Sequence, residues 1–248
     1  MSQLRDRENG CEWDKQQTFK SIAPFTIEEA YEVVDAIDRE DITDLKEELG
    51  DLLLQVVFLS QIADEDNLFS FDDVAEAISN KLIRRHPYVF SNQQSHTPED
   101  QMNQWEEIKQ NERSLKKQEG MLDGIANNLP ALKRSQKIQD RASKAGFDWP
   151  DTEGIISKIK EETKEIEDAI KLNDTNLIKE EIGDLLMIVT NLAQKLNIDS
   201  EHALKDSSNK FIDRFRYIEN ELKKMDKEIS KVSFQELDSL WDESKKLR

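Results

Sequence analysis

The chain has one cysteine, Cys11, in 248 residues, so no disulfide can form within it. That suits a reducing compartment. No apolar run approaches the roughly 20 residues a membrane span needs. Met1 to Gly10 is polar and charged, unlike a secretory signal. A cytoplasmic protein is expected, with no membrane partner. Basic charge is also short, with 35 Lys and Arg against 53 Asp and Glu. A phosphate backbone is bound by a net basic face, so nucleic acid is a poor partner. Only seven glycines and five prolines punctuate the chain, and strand-type alternation is hard to find. What is present is long stretches with apolar residues three and four apart, the helical period. The expected fold class is all-α, and the acid excess suits a protein that holds cations.

An internal repeat organises these helices. Glu28-Glu29-Ala30-Tyr31-Glu32 recurs as Glu161-Glu162-Thr163-Lys164-Glu165. Lys46-Glu47-Glu48-Leu49-Gly50-Asp51 recurs as Lys179-Glu180-Glu181-Ile182-Gly183-Asp184. Both matches share an offset of 133 residues (162 − 29 and 181 − 48). Asn80-Lys81-Leu82-Ile83 matches Asn209-Lys210-Phe211-Ile212 at a shorter offset. Gly10-Cys11-Glu12-Trp13 echoes Gly146-Phe147-Asp148-Trp149, and the segment from Trp105 echoes that from Trp241. Two tandem helical-bundle units are expected, at 1–118 and 130–248, joined by a Gly- and Asn-bearing connector at 119–129. Thr26 with Glu29, just after Pro24, reads as a capping box at a helix start. Ser70 with Asp73 and Ser233 with Glu236 read the same way. The segments 38–41 and 173–176 read as tight turns between antiparallel helices.

The acids of the repeat interrupt apolar stripes. Glu162 lies in line with Ile159, Ile166 and Ala169, and Glu181 with Leu177, Ile178, Leu185 and Ile188. Glu48 falls between Leu45 and Leu52, and Glu29 between Thr26 and Val33. A stripe faces a core, where an unpaired carboxylate costs several kcal/mol. Glu162, Glu165, Glu181 and Asp184 therefore need a positive partner, and an all-oxygen set selects Mg2+, with Mn2+ as a substitute. Glu29, Glu32, Glu48 and Asp51 form a second candidate set. A Glu-Glu-x-x-Glu string alone says little where 53 of 248 residues are acidic; a solvated face is the competing reading. Recurrence at one offset among apolar neighbours argues against it. Gly50 and Gly183 stand beside the aspartate in both copies, for close helix packing or for a ligand. A di-iron centre needs Glu-x-x-His pairs, and none of His86, His96 and His202 supplies one. Lys210 and Arg214, matched by Lys81 and Arg85, share a helix face suited to phosphate, and Lys158 lies one turn before Glu162. Ordinary surface charge is the alternative for these. Trp241 is placed to stack on a base or to anchor its helix.

Glu-Glu-x-x-Glu followed by Glu-x-x-Asp resembles the all-α nucleoside triphosphate pyrophosphohydrolases. The Gly-Cys-Glu-Trp-Asp-Lys-Gln-Gln-Thr start, Arg84-Arg85-His86-Pro87 and the duplication are similar to the MazG family within them. The resemblance implies hydrolysis of NTPs or dNTPs, ATP among them, to NMP and pyrophosphate, with Mg2+ on the four acids. It implies broad base specificity, a nucleotide-pool house-cleaning or stress role, and a homo-oligomer, a dimer. Lys158, Lys210, Arg214 and Trp241 would contact nucleotide, and Glu161 would orient the attacking water. Glu12 departs from an expected proline, and the chain starts as though a short N-terminal helix were absent. The alternatives are a nucleotide-sensing regulatory protein without turnover and an acidic helical scaffold. The sequence does not fix base preference.

Overall fold

The computed structural model describes residues 1–90, 97–115 and 120–246. Among them every regular element is helical. The chain divides into two compact units, Met1–Glu112 and Arg113–Arg248. Of the expected connector, 120–129 forms turns with Gly124 at φ 75°, and Glu119 lies outside the described residues, as does His96. No described helix is long and apolar enough to cross a membrane.

The first unit comprises α1 (Glu12–Gln16), α2 (Phe19–Asp38), α3 (Ile42–Glu65), α4 (Phe71–Arg85), α5 (Pro87–Phe90) and α6 (Pro98–Leu115). The start of α2 corrects the expected Thr26 capping box. Thr18 is the N-cap, in extended conformation at φ −126°. Its hydroxyl accepts from the Ser21 amide at 3.2 Å, and the Ser21 hydroxyl accepts from the Thr18 amide at 2.8 Å. Thr26 lies inside the helix, its hydroxyl folded back on the Ile22 carbonyl at 3.4 Å. Pro24 is also internal. It lacks one amide donor, a loss α2 tolerates within its length. The caps at Ser70 and Ser233 form as expected, each accepting from the amide three residues on.

The second unit comprises α7 (Ala131–Lys144), α8 (Thr152–Leu172), α9 (Thr175–Lys195), α10 (Ser200–Lys224), a 3-10 turn at Ile229–Lys231 and α11 (Phe234–Ser244). Its acid-bearing hairpin repeats the first. Asp151 caps α8 133 residues after Thr18, and Asp174 caps α9 133 residues after Asp41. Glu40 (φ 56°) and Asn173 (φ 54°) turn the chain between the helices in the left-handed region. This shared register sets the acids of both units at equivalent heights. α7 packs on α9 through Ser135 and Thr190, whose hydroxyls are 2.5 Å apart. In the first unit, turns at residues 1–9 precede Gly10, and buried Arg5 reaches Glu65 at 2.7 Å.

Small cores pin the pairs. Ile22, Phe58 and Ile62 cluster in the first unit, and Ile218, Leu222 and Leu240 in the second. Trp241 packs on the latter and on the Phe211 ring, 5.0 Å between centroids. The anchoring reading of that tryptophan is therefore realised. One face of each long hairpin stays open. Leu49 and Leu53 on α3 are 50% and 56% exposed, and Ile182 and Leu186 at the same register of α9 are 45% and 51% exposed.

Candidate metal and nucleotide site

In the second unit the buried stripe of α8 runs Ile155, Glu162, Ala169, and Glu162 is only 5% exposed. Oxygens of Glu162, Glu165 and Glu181 lie within 4.8 Å of one another. Asp184 stands outside that trio, on the wall of an adjoining cavity that Glu162 also lines. Among the described residues, one cation answers these acids. The Lys158 ammonium is 2.7 Å from Glu161, 2.8 Å from Glu162 and 4.0 Å from Glu165. Those hydrogen bonds, Glu161 first, hold its pKa above the ordinary lysine value. Desolvation, then the charges of Glu165, Glu162 and Asp184, pushes the Glu181 carboxyl up.

The first unit gathers a different trio, Glu29, Glu48 and Asp51, within 4.8 Å, and leaves Glu32 outside it. Glu29 is pushed up by desolvation, then by Asp51 and Glu32; Glu48 is pushed up by desolvation, then by Glu32. Phe25 occupies the register of Lys158, and among the described residues no Lys or Arg pairs with these acids. Gln55 donates to Glu29 at 3.3 Å.

The basic pair on α10 does not join the acids within this chain's described contacts. Lys210 and Arg214 line a separate hollow of about 650 Å3 with Asp206, Asp213 and Tyr217. The Arg214 guanidinium lies over the Trp241 ring at 5.4 Å. In the first unit the matching Arg85 is taken by Glu112 at 2.6 Å, which holds the Glu112 carboxyl at about 2. Gly50 and Gly183 are not there for close packing within the chain, since an added Cβ at either meets nothing within 4 Å.

The adjoining cavity, about 510 Å3, lies between α7, the 145–151 segment, α8 and α9. Gln139, Trp149 and Asn191 line it, together with Lys158, Glu162 and Asp184. Spacing along the sequence assigns the first three no role. The echo of Gly10–Trp13 at Gly146–Trp149 was the available signal for the tryptophan. Nothing in one sequence marks Gln139 or Asn191, which meet only because α7 packs on α9.

Comparison with known proteins matches segments of both units. The profile of the MazG nucleotide pyrophosphohydrolase domain matches residues 17–90 and 151–218, the segments that hold both acidic sets. A nucleoside triphosphate pyrophosphohydrolase of Escherichia coli K12 is 45% identical over 99% of this chain and 94% of its own length. A Thermotoga maritima protein named nucleoside triphosphate pyrophosphohydrolase/pyrophosphatase MazG is 43% identical over 99% of this chain and 92% of its own length. A nucleoside triphosphate pyrophosphohydrolase of Mycobacterium tuberculosis is 33% identical over 84% of this chain and 53% of its own length. With matches over nearly its whole length and the acid-bearing hairpin present twice, the chain belongs to the MazG nucleotide pyrophosphohydrolase domain family.

Proposed function

We propose that the chain hydrolyses nucleoside triphosphates to the monophosphate and pyrophosphate, using Mg2+ or Mn2+ held by Glu162, Glu165, Glu181 and Asp184. The reading is carried by the three converging carboxylate oxygens, one from a buried glutamate, beside a cavity of ligand size. The names of the relatives point the same way. The donor set fits a hard cation, being all oxygen with no histidine or sulfur in the cluster. When bound, the cation would offset phosphate charge and lower the pKa of the attacking water. Lys158, on the cavity wall, supplies a point charge to phosphate oxygens. Glu161 is exposed beside it and orients the water. Lys210 and Arg214 line a separate hollow and are left out of this phosphate site, with the Arg214 guanidinium over the Trp241 ring.

We place the work in the second unit, because there a lysine and a cavity accompany the acids. We also propose a homodimer, since α3 and α9 each present an exposed apolar stripe centred on a glycine with open space above it. The lone free cysteine suits the cytoplasm. Incubation of the protein with Mg2+ and a panel of NTPs and dNTPs, followed by separate assays of pyrophosphate and orthophosphate, tests the activity. Equimolar NMP and pyrophosphate is expected. Orthophosphate release, or tight binding without turnover as in a nucleotide sensor, would overturn it.

A further inference from the structure

The segment Arg84-Arg85-His86-Pro87 lies outside the acid-bearing hairpins, and its two arginines end α4 on a single carboxylate. Arg84 donates to Glu112 Oε1 from Nε at 2.8 Å and from Nη2 at 2.6 Å. Arg85 donates to Glu112 Oε2 from Nε at 3.2 Å and from Nη2 at 2.6 Å. Each carboxylate oxygen is thus gripped by one planar fork, the geometry with which arginine takes carboxylate or phosphate. The Glu112 side chain is 15% exposed and that of Arg85 22%, whereas that of Arg84 is 54% exposed. The grip is sheltered on one side and open on the other.

Charge does not balance there. Two cations meet one anion, and among the described residues no second acid pairs with either arginine. A second arginine adds little to the fastening of α6, because ion pairs near the surface are weak. It leaves one positive charge unanswered. An oxyanion with two charges answers both, and a phosphate group offers its oxygens to two forks as a carboxylate does.

The arrangement is not inherited from the repeat. The offset that matches Lys81 to Lys210 sets Arg84 against Asp213, and the offset that matches Trp105 to Trp241 sets Glu112 against Arg248. Of the three, only Arg85 keeps its sign, as Arg214. Arg214 lies over the Trp241 ring, and among the described residues no carboxylate pairs with it. In the first unit the Trp105 ring carries Lys109 instead, at 4.1 Å. Arg85 turns to Glu112 rather than to an aromatic ring, and the doubled arginine belongs to the first unit alone.

We infer that Arg84 and Arg85 form a binding site for a phosphate dianion, and that Glu112 is an internal ligand that holds this site closed. No residue of either acidic set takes part, and the site needs no metal. Inorganic phosphate and pyrophosphate both carry the recognised group. An incoming dianion replaces Glu112, and α6 loses this fastening to α4.

The test uses the full chain at mildly alkaline pH, where phosphate is doubly charged, with EDTA to keep metal from the acids. Calorimetric titrations with inorganic phosphate and with pyrophosphate are compared, with acetate as the monovalent control. Glu112→Gln keeps the shape of the side chain and removes its charge. It should bind both phosphates at least about tenfold more tightly than the parent, the scale of one charge-assisted hydrogen bond released. Adding Arg84→Gln and Arg85→Gln should abolish that gain. Binding at Lys158, Lys210 or Arg214 is common to all these chains and cancels in the comparison. The parent supplies a second measurement. Phosphate at about 10 mM, above the millimolar effective concentration of a tethered ligand, should speed amide exchange in α6, and acetate should not. An ion pair that only braces α6 predicts the opposite on both counts. Glu112→Gln would then bind phosphate no better than the parent, and exchange in α6 would be indifferent to anions. Either result overturns the inference, as does equal binding of acetate. The exchange measurement needs no variant, so a Glu112→Gln chain that fails to fold leaves it decisive. Neither measurement reads NTP turnover, so the hydrolase reading stands or falls separately.

Discussion

Glu181 carries a carboxylate into surroundings that oppose its charge. It lies in line with Leu177, Ile178, Leu185 and Ile188, all partly buried, and faces Glu162 and Glu165 across the hairpin. Its raised pKa makes this a stability statement. A carboxyl whose folded pKa exceeds the ordinary 4.5 stabilises the fold fully below that value. That contribution is lost as pH rises through the folded pKa. The metal-free protein should therefore lose stability over that window. Glu181→Leu should remove this part of the slope, and at pH 7 the metal-free variant should melt at or above the parent. Replacing a charged group by an apolar one of similar volume is often neutral or stabilising where burial opposes the charge. Mg2+ with a non-hydrolysable NTP should raise the parent's melting temperature and barely move the variant's. Melts at pH 4, 5.5 and 7, with and without those ligands, decide this. An unchanged ligand-induced shift in the variant would remove Glu181 from the site.

At the level of elements, the hairpin turns set where the acids stand. Both turns place a residue in the left-handed region and then an aspartate N-cap: Glu40 before Asp41, and Asn173 before Asp174. Asp174 accepts from the amides of Asn176 and Leu177 at 3.0 and 3.1 Å, so Asp174→Ala should cost about 1 kcal/mol of stability. Glutamate has no local means of offsetting positive φ, whereas asparagine does. Glu40→Gly should stabilise by about 1 kcal/mol, and Asn173→Gly by less. Urea titrations of the three variants check the order. If Glu40→Gly proved less stable than Asn173→Gly, the strain assigned to the first turn would be misplaced.

For the whole molecule, the proposed division of work between two similar units rests on what stands beside the acids in each. Both gather acids, yet the second has Lys158 and Asn191 where the first has Phe25 and Phe58. Glu162→Gln and Asp184→Asn in the full chain should each lower turnover by orders of magnitude. Glu29→Gln should leave most of it. A collapse of pyrophosphate release in Glu29→Gln, with Glu162→Gln near normal, would reverse the assignment. The open apolar stripes make a second prediction. Gly183 is helical with free space above it, so in an isolated chain Gly183→Ala should stabilise by about 1 kcal/mol. If that face meets a second copy, the added methyl instead weakens association. Sedimentation across a concentration series should show the parent dimeric and Gly183→Ala shifted toward monomer. A monomeric parent would remove the dimer.

The sequence by itself determined the all-helical class, the duplicated register and the acids. Each follows from spacing along one chain: apolar period 3.6, one constant offset, and carboxylates falling on apolar stripes. It also marked both hairpin turns and the caps at Ser70 and Ser233, because those signals are local. It placed the start of α2 at Thr26 because Pro24 looked like a boundary. The reciprocal Thr18–Ser21 cap, with serine where glutamate is the usual partner, carries a weaker signal. Tertiary structure alone decided which three acids converge, since the fourth is set by how far one helix slides along the other. It alone separated Lys210 and Arg214 from the acids. And it alone brought Gln139 of α7 to Asn191 of α9, whose amide donates to the Gln139 carbonyl at 3.3 Å. Periodicity states which residues share a face; only packing states what that face meets.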